Sequence, residues 1–367
     1  MKKVKNRLSI IGIAGVPANY GGFETMTDYL IDFLVAEFEV TVYCSSKNYP
    51  EKRKFYKGAA LKYLPLSPNG VTSILYDAIS LLNSVFRSDV ILVLGVGPSF
   101  LFPLIKRLSN AKILTNIDGL EWKRAKWNFF AKRFLKNQEK NAAIFSHKLI
   151  ADNKSIERHV LMAYGKIATL IEYGGDHVYK IELTENVRID YSVNFISYSF
   201  SVCRIEPENN IHIILEAFAK SGRNLIIVGN WDKSEYGICL KNSYKNFDNI
   251  RIVNAIYNQN ILNQIRSNCT IYIHGHSAGG TNPSLVEAMF LELPIFAWDV
   301  NYNRFTTENE AFYFKSSKEL MELLQMPAEL LLNSSMKLKK IANERYTWGR
   351  IAKKYIDLIN DFESTGK

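Results

Sequence analysis

Residues 274–299 read HGHSAGGTNPSLVEAMFLELPIFAWD, and this stretch carries the clearest structural signal in the chain. It begins with glycines, a threonine and an asparagine, continues as a helical segment that contains Glu287, and ends in the strand-like run 294–298. Free backbone N–H groups and the helix dipole make a glycine-rich helix start well suited to an anion such as a phosphate. The stretch therefore predicts a phosphate-binding turn within an alternating strand–helix fold.

The same alternation continues upstream. The strand-like runs LSIIGIAG, EVTVYCS and DVILVLGVG are separated by amphipathic helical segments, and a second series follows with NFISYSFSV, NLIIVGN and CTIYIHGH. This βαβ rhythm is typical of parallel sheets covered by helices on both faces. We therefore predict an α/β protein with two Rossmann-like domains, residues 1–185 and 186–345, joined by the polar segment 180–192. The final helix, within 346–367, lies outside the alternation and is predicted to pack on the first domain.

The composition describes a globular protein of about two domains. Hydrophobic residues make up 47% of the 367 residues, and four scattered cysteines without a CxxC pair argue for a reducing compartment and against disulfides or a zinc site. The longest apolar stretch, 90–105, is broken by Gly95, Gly97 and Pro98, whereas a membrane span needs ~20 apolar residues. The short apolar run near the N-terminus is interpreted as a first strand, and no targeting or membrane-spanning segment is predicted.

Charge is distributed unevenly along the chain. The net charge is +10, but residues 1–180 hold 26 Lys and Arg against 15 Asp and Glu, while residues 181–367 hold 20 against 21. The basic half indicates an anionic surface or substrate for the first domain. No nucleic-acid recognition motif accompanies this charge, so a nucleic-acid partner is not predicted.

Two loops that follow strand-like runs each allow a functional and a structural interpretation. In GVPANYGGFET, residues 15–25, Gly21 and Gly22 would let the backbone approach a ligand closely, or would form an ordinary strand-to-helix turn. In SVCRIEPENN, residues 201–210, Arg204 would bind a phosphate, or would pair with one of the glutamates that follow it.

Two further segments carry carboxylates. Glu287 would accept hydrogen bonds from two hydroxyls, as in a ribose, or would only favour the start of its helix. The segment NIDGLEWKRAKW, residues 116–127, combines Asp118 and Glu121 with two tryptophans and three cations. Aromatic platforms with carboxylates suit a sugar, whereas the alternative is a packed loop with solvated charges.

Taken together and in order, these segments resemble glycosyltransferase family 4, whose members are retaining enzymes of the GT-B fold. The resemblance rests on YGGFE, CRIEPENNIHIILEAF, GGTNPSLVEAM and YTWGRIAKKY, and it covers nearly the whole chain. The longer motifs GVPANYGGFET, DGLEWKRAKW, RIEPENN and GHSAGGTNPSLVEAM are similar to those of bacterial rhamnosyltransferases of capsule and cell-wall polysaccharide synthesis. The resemblance implies two Rossmann-like domains facing across a cleft, with a C-terminal helix that crosses back to the first domain.

The resemblance also implies roles for individual residues. In the implied catalytic set, Arg204 stabilises the leaving diphosphate, Glu287 holds the ribose and Asp118 orients the acceptor hydroxyl. The implied donor-binding residues are Gly21, Gly22, Arg204, Tyr257, Gly279, Gly280, Thr281, Asn282 and Glu287. The implied acceptor-binding residues are Asp118, Glu121, Trp122 and Arg124. The sequence has no DxD motif, so the implied reaction needs neither a metal nor a cofactor, and replacing Glu287 by alanine should abolish transfer with the fold intact.

The chain departs from the family pattern at two positions. Gly279 stands where the family usually has the first of two glutamates, and Asn209 stands where it usually has a lysine. One carboxylate contact to the donor sugar and one cation on the diphosphate are therefore missing. A deoxysugar has fewer hydroxyls to bind, so L-rhamnose carried by dTDP is the preferred donor. UDP-glucose, UDP-N-acetylglucosamine and GDP-mannose are the alternatives.

Two other classes of protein are alternatives to a glycosyltransferase. A Rossmann oxidoreductase or nucleotide-sugar epimerase needs GxGxxG with an acidic residue ~20 positions further on. The segment GIAGVPANYGG does not provide that spacing. A non-catalytic sugar-binding module would account for the glycine at position 279 as lost chemistry, and hydrolysis of the donor would distinguish a transferase from such a module.

The segment 122–140 indicates a membrane partner. It holds seven Lys and Arg, five aromatic residues and one acidic residue, Glu139. A helix of this composition places its rings at the headgroup level and its cations on anionic lipid. We therefore predict a cytoplasmic enzyme, bound peripherally to the inner leaflet of the plasma membrane, whose acceptor is a lipid-linked saccharide. The alternative is an ordinary helix with Phe130 and Phe134 in the core.

Overall fold

A computed structural model of the chain describes residues 5–19, 21–68, 70, 72–123 and 127–364. The chain divides into two compact units, of which the first contains residues 1–173 and 348–367 and the second contains residues 174–347. The segment 180–192, predicted from its polarity to link the two domains, therefore lies inside the second unit.

The first unit is built on an eight-stranded sheet. Its strands are β1 (Arg7–Ile11), β2 (Glu39–Ser45), β3 (Phe55–Tyr56), β4 (Ala59–Leu64), β5 (Val90–Leu94), β6 (Lys112–Ile117), β7 (Lys148–Ala151) and β8 (Thr169–Leu170). They lie in the order β3-β4-β2-β1-β5-β6-β7-β8, and their described pairings are parallel except for that of β3 with β4. Every residue of β5 is buried, as expected for a strand covered on both faces.

In this unit, capping residues in the sequence explain where the helices begin and end. The helices are α1 (Gly22–Glu37), α2 (Thr72–Val85), α3 (Phe102–Leu108), α4 (Phe129–Phe145) and α5 (Lys154–Tyr164). Asn128 and Asn153 begin α4 and α5, and the side-chain oxygen of each accepts a hydrogen bond from a free N–H of the first turn. Helix α5 ends at Gly165, whose φ of 63° lies in the left-handed region that glycine adopts easily.

The second unit contains a six-stranded parallel sheet. Its strands are β9 (Ser199–Val202), β10 (Leu225–Gly229), β11 (Ile250–Asn254), β12 (Ile271–His274), β13 (Ile295–Trp298) and β14 (Phe312–Phe314), in the order β11-β10-β9-β12-β13-β14. Its helices are α6 (Glu185–Asp190), α7 (Ile211–Ser221), α8 (Glu235–Tyr244), α9 (Gln259–Ser267), α10 (Pro283–Phe290), α11 (Asn301–Thr306), α12 (Ser317–Leu323) and α13 (Ala328–Arg345). The predicted α/β fold with two parallel-sheet domains is confirmed.

In each sheet, the direction in which the chain adds successive strands reverses at one point. In the first sheet the chain places β2 on one side of β1 and β5 on the other, and in the second it places β10 on one side of β9 and β12 on the other. At such a switch point the loops at the carboxyl ends of neighbouring strands diverge and leave a crevice, where open parallel sheets bind ligands. The segments that follow β1 and β9, residues 12–19 and 203–210, therefore lie at the two crevices.

The last helix, α14 (Trp348–Ser364), returns to the first unit and packs on α1. The Trp348 ring stacks on that of Tyr29 with centroids 5.2 Å apart, and its edge faces Tyr173 at 5.0 Å. Buried Tyr355 accepts a hydrogen bond of 2.9 Å from the side-chain amide of Asn116 in β6. This helix therefore closes the core of the first unit.

Membrane-spanning segments were not expected from the sequence. Across the described residues, no helix is both long and apolar enough to cross a bilayer.

Candidate active site

The switch point of the second unit brings two predicted segments together. Arg204 follows β9, and the glycine-rich turn 275–282 follows β12, which pairs with β9 in parallel. The two loops are hydrogen-bonded to each other, because the backbone N–H and the hydroxyl of Ser277 both donate to the carbonyl of Glu208, at 2.9 and 2.8 Å. The arginine loop and the glycine turn thus form one continuous structure at the end of the sheet.

Asn209 and Gly275 fix the approach of these loops. A side chain at Gly275 would place its Cβ 2.1 Å from the carbonyl oxygen of Asn209, so only glycine fits there. Asn209 is 2% exposed, and its amide donates to the carbonyl of Arg204 at 2.6 Å. Asn209, at the position where the resemblance predicts a lysine, therefore holds the loop and does not supply a cation.

The turn itself leaves open space before helix α10. Gly279 has a φ of 131°, and a Cβ added there would meet no atom within 4 Å. Asn282 begins α10, and its side-chain oxygen accepts hydrogen bonds from the N–H and the hydroxyl of Ser284, at 3.1 and 2.8 Å. Gly280 lies between these positions, and Thr281 is 5% exposed. Gly279, where the resemblance predicts a glutamate, is thus bordered by open space.

His274, the last residue of β12, is fully buried. Burial lowers the pKa of its imidazole to about 3, so the ring is neutral at physiological pH. The ring stacks on that of His276 with centroids 4.3 Å apart. Of the groups described so far, only Arg204 brings a full positive charge to the turn.

Glu287 lies in the second turn of α10 and is engaged on both oxygens. Its Oε1 is 3.1 Å from Nε2 of His177, and its Oε2 accepts a hydrogen bond from Nη1 of Arg266. The Arg266 side chain is fully buried, and its Nη2 donates to Asn263 at 2.8 Å. The sequence analysis identified neither His177 nor Arg266.

These partners determine the charge of Glu287. Burial would raise the pKa of this carboxyl, but the positive charge of Arg266 and the hydrogen bond to His177 lower it to about 2. Glu287 is therefore an anion at any physiological pH. Each carboxylate oxygen has about two lone-pair sites. Since the side chain is still 12% exposed, the predicted contact with two ribose hydroxyls is compatible with the ion pair.

Arg204 has a loose contact with one of the glutamates that follow it. Its Nε lies 3.9 Å from Oε2 of Glu206, and its side chain is 43% exposed. An exposed pair at this distance contributes ~0–1 kcal/mol. Arg204 therefore does contact a glutamate that follows it, as the alternative to phosphate binding predicts. This contact is too weak to prevent the guanidinium from binding a ligand.

Within the second unit, Tyr257 lies apart from the other predicted donor-binding residues. It follows β11, at the edge of the sheet two strands from β9. Strand spacing separates these positions by roughly 10 Å. The Tyr257 hydroxyl donates to Asn230 at 3.3 Å, and its side chain is 58% exposed. A donor contact of Tyr257 stays a prediction.

In the first unit, the glycine loop before α1 is held by three side chains. Glu24 accepts a hydrogen bond from the N–H of Ala14 at 2.9 Å, Asp28 accepts one from Ala18 at 2.7 Å, and Tyr49 donates one to Pro17 at 2.8 Å. Gly21 precedes the helix with a φ of 110°, and a Cβ there would lie 2.2 Å from Oε2 of Glu24. Gly22 is the first residue of α1. These hydrogen bonds fix the backbone of the loop, and the glycine at position 21 lets it pass close to the Glu24 side chain.

Asp118 lies directly after β6 and close to this loop. Its Oδ1 accepts a hydrogen bond of 2.7 Å from the N–H of Gly119. Burial raises the pKa of the Glu24 carboxyl, and the negative charge of Asp118 raises it further. The predicted acceptor-orienting carboxylate and the glycine loop are therefore brought together.

Glu121 and Trp122 have contacts inside the unit. The Trp127 indole donates to Glu121 at 3.2 Å, and the Trp122 indole donates to Oε2 of buried Glu139 at 2.9 Å. Glu139 also binds His159 and Tyr164, each at 2.7 Å. These contacts fit the packed-loop alternative, and acceptor binding by Glu121 or Trp122 stays a prediction. Arg124, the fourth predicted acceptor residue, lies outside the described residues.

In the part of the chain that the structure describes, no group of three or more His, Cys, Asp or Glu side chains could hold a metal ion.

Comparisons with known proteins agree with this architecture. Residues 197–346 match the family described as "Glycosyl transferases group 1", and residues 5–176 match "Domain of unknown function (DUF1972)". The family match of residues 197–346, together with the two-sheet fold, shows the chain to be a glycosyltransferase of the GT-B type.

Similar solved structures cover nearly the whole chain. Sucrose-phosphate synthase from Thermosynechococcus elongatus superimposes with a TM-score of 0.81 at 14% identity, covering 99% of this chain and 100% of that one. HepE from Anabaena, solved in complex with UDP-glucose, gives a TM-score of 0.76 at 14% identity, with coverages of 97% and 100%. The catalytic domain of starch synthase IV from Arabidopsis thaliana gives 0.70 at 13% identity, with coverages of 96% and 98%. No curated protein sequence matches the chain significantly.

Proposed function

We propose that the chain is a retaining transferase of glycosyltransferase family 4 that moves a sugar from a nucleotide diphosphate to a lipid-linked saccharide. The preferred donor is dTDP-L-rhamnose, and the product is an intermediate of capsule or cell-wall polysaccharide. The observation that carries this proposal is the switch-point site of the second unit. There Arg204, the glycine turn and the start of α10 converge, and Glu287 lies in the next turn of that helix.

Each part of this site has a task in the reaction. The bond between the anomeric carbon and the diphosphate breaks, and the acceptor oxygen forms the new bond on the same face while its proton passes to the leaving diphosphate. Negative charge therefore grows on the diphosphate, where Arg204 and the backbone N–H groups of residues 280–282 stabilise it. Glu287 binds the ribose hydroxyls, and Asp118 orients the acceptor. None of these steps requires a metal or a further cofactor.

Two observations bear on the identity of the sugar. The open space at Gly279, where the family has a carboxylate, suits a deoxysugar with fewer hydroxyls and supports rhamnose. The likeness to HepE, which was solved with UDP-glucose, supports UDP-glucose as the second candidate. UDP-N-acetylglucosamine and GDP-mannose complete the set of donors to test. A non-catalytic sugar-binding module is the alternative of another class.

A thermal-shift screen in EDTA tests the donor. The panel contains dTDP-rhamnose, UDP-glucose, UDP-N-acetylglucosamine and GDP-mannose. At 100 times its dissociation constant, a donor stabilises the protein by about 2.7 kcal/mol. This corresponds to a Tm increase of roughly 5–10 °C for a domain of this size. We expect dTDP-rhamnose to give the largest shift and release of dTDP to follow in the same buffer. No shift with any nucleotide sugar would contradict the transferase, and a shift without release would favour the binding module.

We further propose that helices α3 and α4 bind anionic lipid on the cytoplasmic leaflet. Phe129 and Phe130 are 73% and 78% exposed, so the alternative that buries Phe130 in the core is wrong for that residue. The cations Arg133 and Lys136 of the same helix are exposed as well. Helix α3, which packs against α4, adds the exposed apolar side chains Leu104 and Leu108, and the turn before it adds Phe100. An anionic membrane surface binds such a combination, because the aromatic rings enter the headgroup region and the cations contact the lipid phosphates.

Liposome co-sedimentation tests this surface. We expect the protein to bind phosphatidylglycerol vesicles at low salt and to be released as salt increases. Each cation near such a surface contributes about 1 kcal/mol. Replacing Lys132, Arg133 and Lys136 by glutamate should therefore weaken binding at least ~100-fold. The matched control reverses the exposed cations at the opposite edge of the sheet, residues 52–54, and should have a smaller effect. Equal loss in both variants, or no binding by the wild type, would refute the surface but not the transferase.

A further inference from the structure

The indole of Trp122, in the short turn Glu121–Lys123 before α4, is held by a buried carboxylate. Its Nε1–H donates to Oε2 of Glu139 at 2.9 Å, and Glu139 is 2% exposed. Oε1 of the same carboxylate accepts hydrogen bonds from His159 and Tyr164, each at 2.7 Å. Burial would raise the pKa of Glu139, but these two hydrogen bonds lower it below its usual range. The Trp122 ring is therefore a fixed platform, because the anion that holds it is itself held by two further side chains.

Two ammonium groups lie over this ring. Nζ of Lys123 is 5.4 Å and Nζ of Lys136 is 5.1 Å from the ring centroid, and both side chains are exposed. Within the described ranges, neither lysine forms an ion pair with a carboxylate. The acid next to them in the turn, Glu121, accepts a hydrogen bond from the Trp127 indole. Like charges that are held together repel each other, so an anion that contacts both ammonium groups would be stabilised there.

The exposed face of α4 indicates what this anion carries at one end. Phe129, Arg133 and Lys136 have the spacing i, i+4, i+7 and therefore lie on one side of the helix. The rings of Phe129 and Phe130 are 73% and 78% exposed, with centroids 5.8 Å apart. Seven residues of helix separate Phe129 from Lys136, which is about 10 Å along the axis. An exposed apolar surface thus begins about 10 Å from the two lysines, and an anion with an apolar chain fits both.

The chain on the other side of Trp122 leads to the proposed acceptor carboxylate. Asp118 directly follows β6 and precedes Trp122 by four residues, which span at most ~14 Å. Along the chain, the carboxylate that orients the acceptor hydroxyl is therefore followed by the two cations and then by the exposed phenylalanines. This order matches a molecule in which a sugar, a diphosphate and an apolar chain are joined in sequence.

We propose that Lys123 and Lys136, held over Trp122, bind the diphosphate that joins the acceptor saccharide to its lipid. The inference rests on the proposed transferase function and deepens it, because it names a lipid diphosphate as the class of acceptor. A bridging diphosphate brings two negative charges to the two ammonium groups, whereas the phosphodiester of a phospholipid brings one. The site therefore distinguishes the acceptor lipid from the membrane lipids around it.

NMR of the tryptophan indoles tests this site directly. In protein labelled with ¹⁵N-tryptophan, Trp122→Phe identifies the Trp122 signal, which reports binding beside that ring without any turnover. The probes are geranyl diphosphate, geranyl monophosphate, geraniol and dTDP. We expect geranyl diphosphate to shift the Trp122 signal saturably and to bind at least ~10-fold more tightly than the monophosphate, because charge-assisted hydrogen bonds to the second phosphate are lost. Geraniol and dTDP should leave the signal in place.

The matched variants change charge without changing the fold. Lys123→Gln combined with Lys136→Gln should weaken geranyl diphosphate binding at least ~10-fold and keep the Tm of the wild type, because both side chains are exposed. Lys123→Arg combined with Lys136→Arg keeps both charges and should retain binding. The control, Lys52→Gln combined with Lys54→Gln, removes two exposed cations of the same unit at the opposite edge of the sheet and should bind as the wild type does.

Four results would overturn the proposal. They are a Trp122 signal that geranyl diphosphate does not move, equal affinity in the folded glutamine variant, an equal shift with geraniol, which marks apolar contact alone, or equal affinity for the monophosphate, which marks a general anionic-lipid surface. A lysine-dependent shift with dTDP would assign the site to the nucleotide and would also refute the proposal. The NMR readout needs no donor, so absence of nucleoside diphosphate release would refute the transferase while these titrations still decide whether the lysines bind a lipid diphosphate.

Discussion

Replacing Glu287 by alanine is expected to destabilise the second unit by about 3–5 kcal/mol, besides abolishing transfer. The variant leaves Arg266 fully buried without its counter-charge, and breaking a buried ion pair from one side is costly for this reason. The corresponding decrease in Tm is roughly 6–20 °C for a domain of this size. This differs from the sequence-based expectation of an intact fold, which treated Glu287 as a ligand contact only.

A double variant separates the two roles of Glu287. Replacing Glu287 by leucine together with Arg266 by methionine removes both charges, and an apolar pair of similar volume often matches or exceeds a buried ion pair in stability. We expect this double variant to recover most of the lost Tm and none of the transfer. Glu329→Gln, an exposed carboxyl in the same unit, serves as the control. Wild-type turnover in the folded double variant would contradict the ribose contact.

The pH dependence of stability gives an independent check on the same ion pair. Because the folded-state pKa of Glu287 is lowered from 4.5 to about 2, its contribution is present above about pH 4.5 and is lost as the pH falls towards 2. In Glu287→Gln the free energy of unfolding should vary less over this range. Denaturant titrations at pH 7, 4 and 3 measure the difference. Parallel curves for wild type and variant would show that Arg266 does not stabilise the charged form.

The fold was predictable from the sequence because its signals are local. Short apolar runs, amphipathic segments and glycine turns each depend on a few neighbouring residues, and their alternation defines a parallel sheet. Even the placement of Arg204 beside the glycine turn follows from the rule that loops at the carboxyl ends of neighbouring parallel strands lie together. The crevices were thus accessible to reasoning from the pattern alone.

The partners of Glu287 were not predictable in this way. Arg266 and His177 lie 21 and 110 positions from it in the chain, and their pairing is created only when α9 and residues 174–178 pack near α10. In the segment LNQIRSN, Arg266 has the appearance of an ordinary surface cation at the end of a helix. Nothing in its neighbours indicates that it is fully buried.

Trp122 shows how a local composition can mislead. Trp122 was assigned to the acceptor because aromatic and acidic residues cluster around it. In the structure, the Trp122 indole donates its hydrogen bond to Glu139, which lies 17 positions further on, and not to a ligand. A local composition that suits a sugar suits a packed loop equally well.

Arg204→Ala is expected to lower turnover by about 10²–10³-fold, the effect seen when one preorganised donor is removed from a site of developing charge. The protein should keep its Tm, because the side chain is 43% exposed and its contact with Glu206 is 3.9 Å long. Steady-state release of nucleoside diphosphate, measured over a range of donor concentrations, separates kcat from KM. Arg223→Ala, which removes an exposed arginine of the same unit, is the matched control.

The division of the effect between kcat and KM decides what Arg204 does. Charge on the diphosphate increases as the anomeric bond breaks, so a guanidinium that faces it interacts more strongly with the transition state than with the bound donor. The loss should therefore lie mainly in kcat. Arg204→Lys should recover only part of the activity, since a lysine cannot form two parallel hydrogen bonds to phosphate oxygens. If Arg204→Ala instead raises KM for the donor and leaves kcat unchanged, the arginine binds the ground state equally well and does not assist departure of the diphosphate.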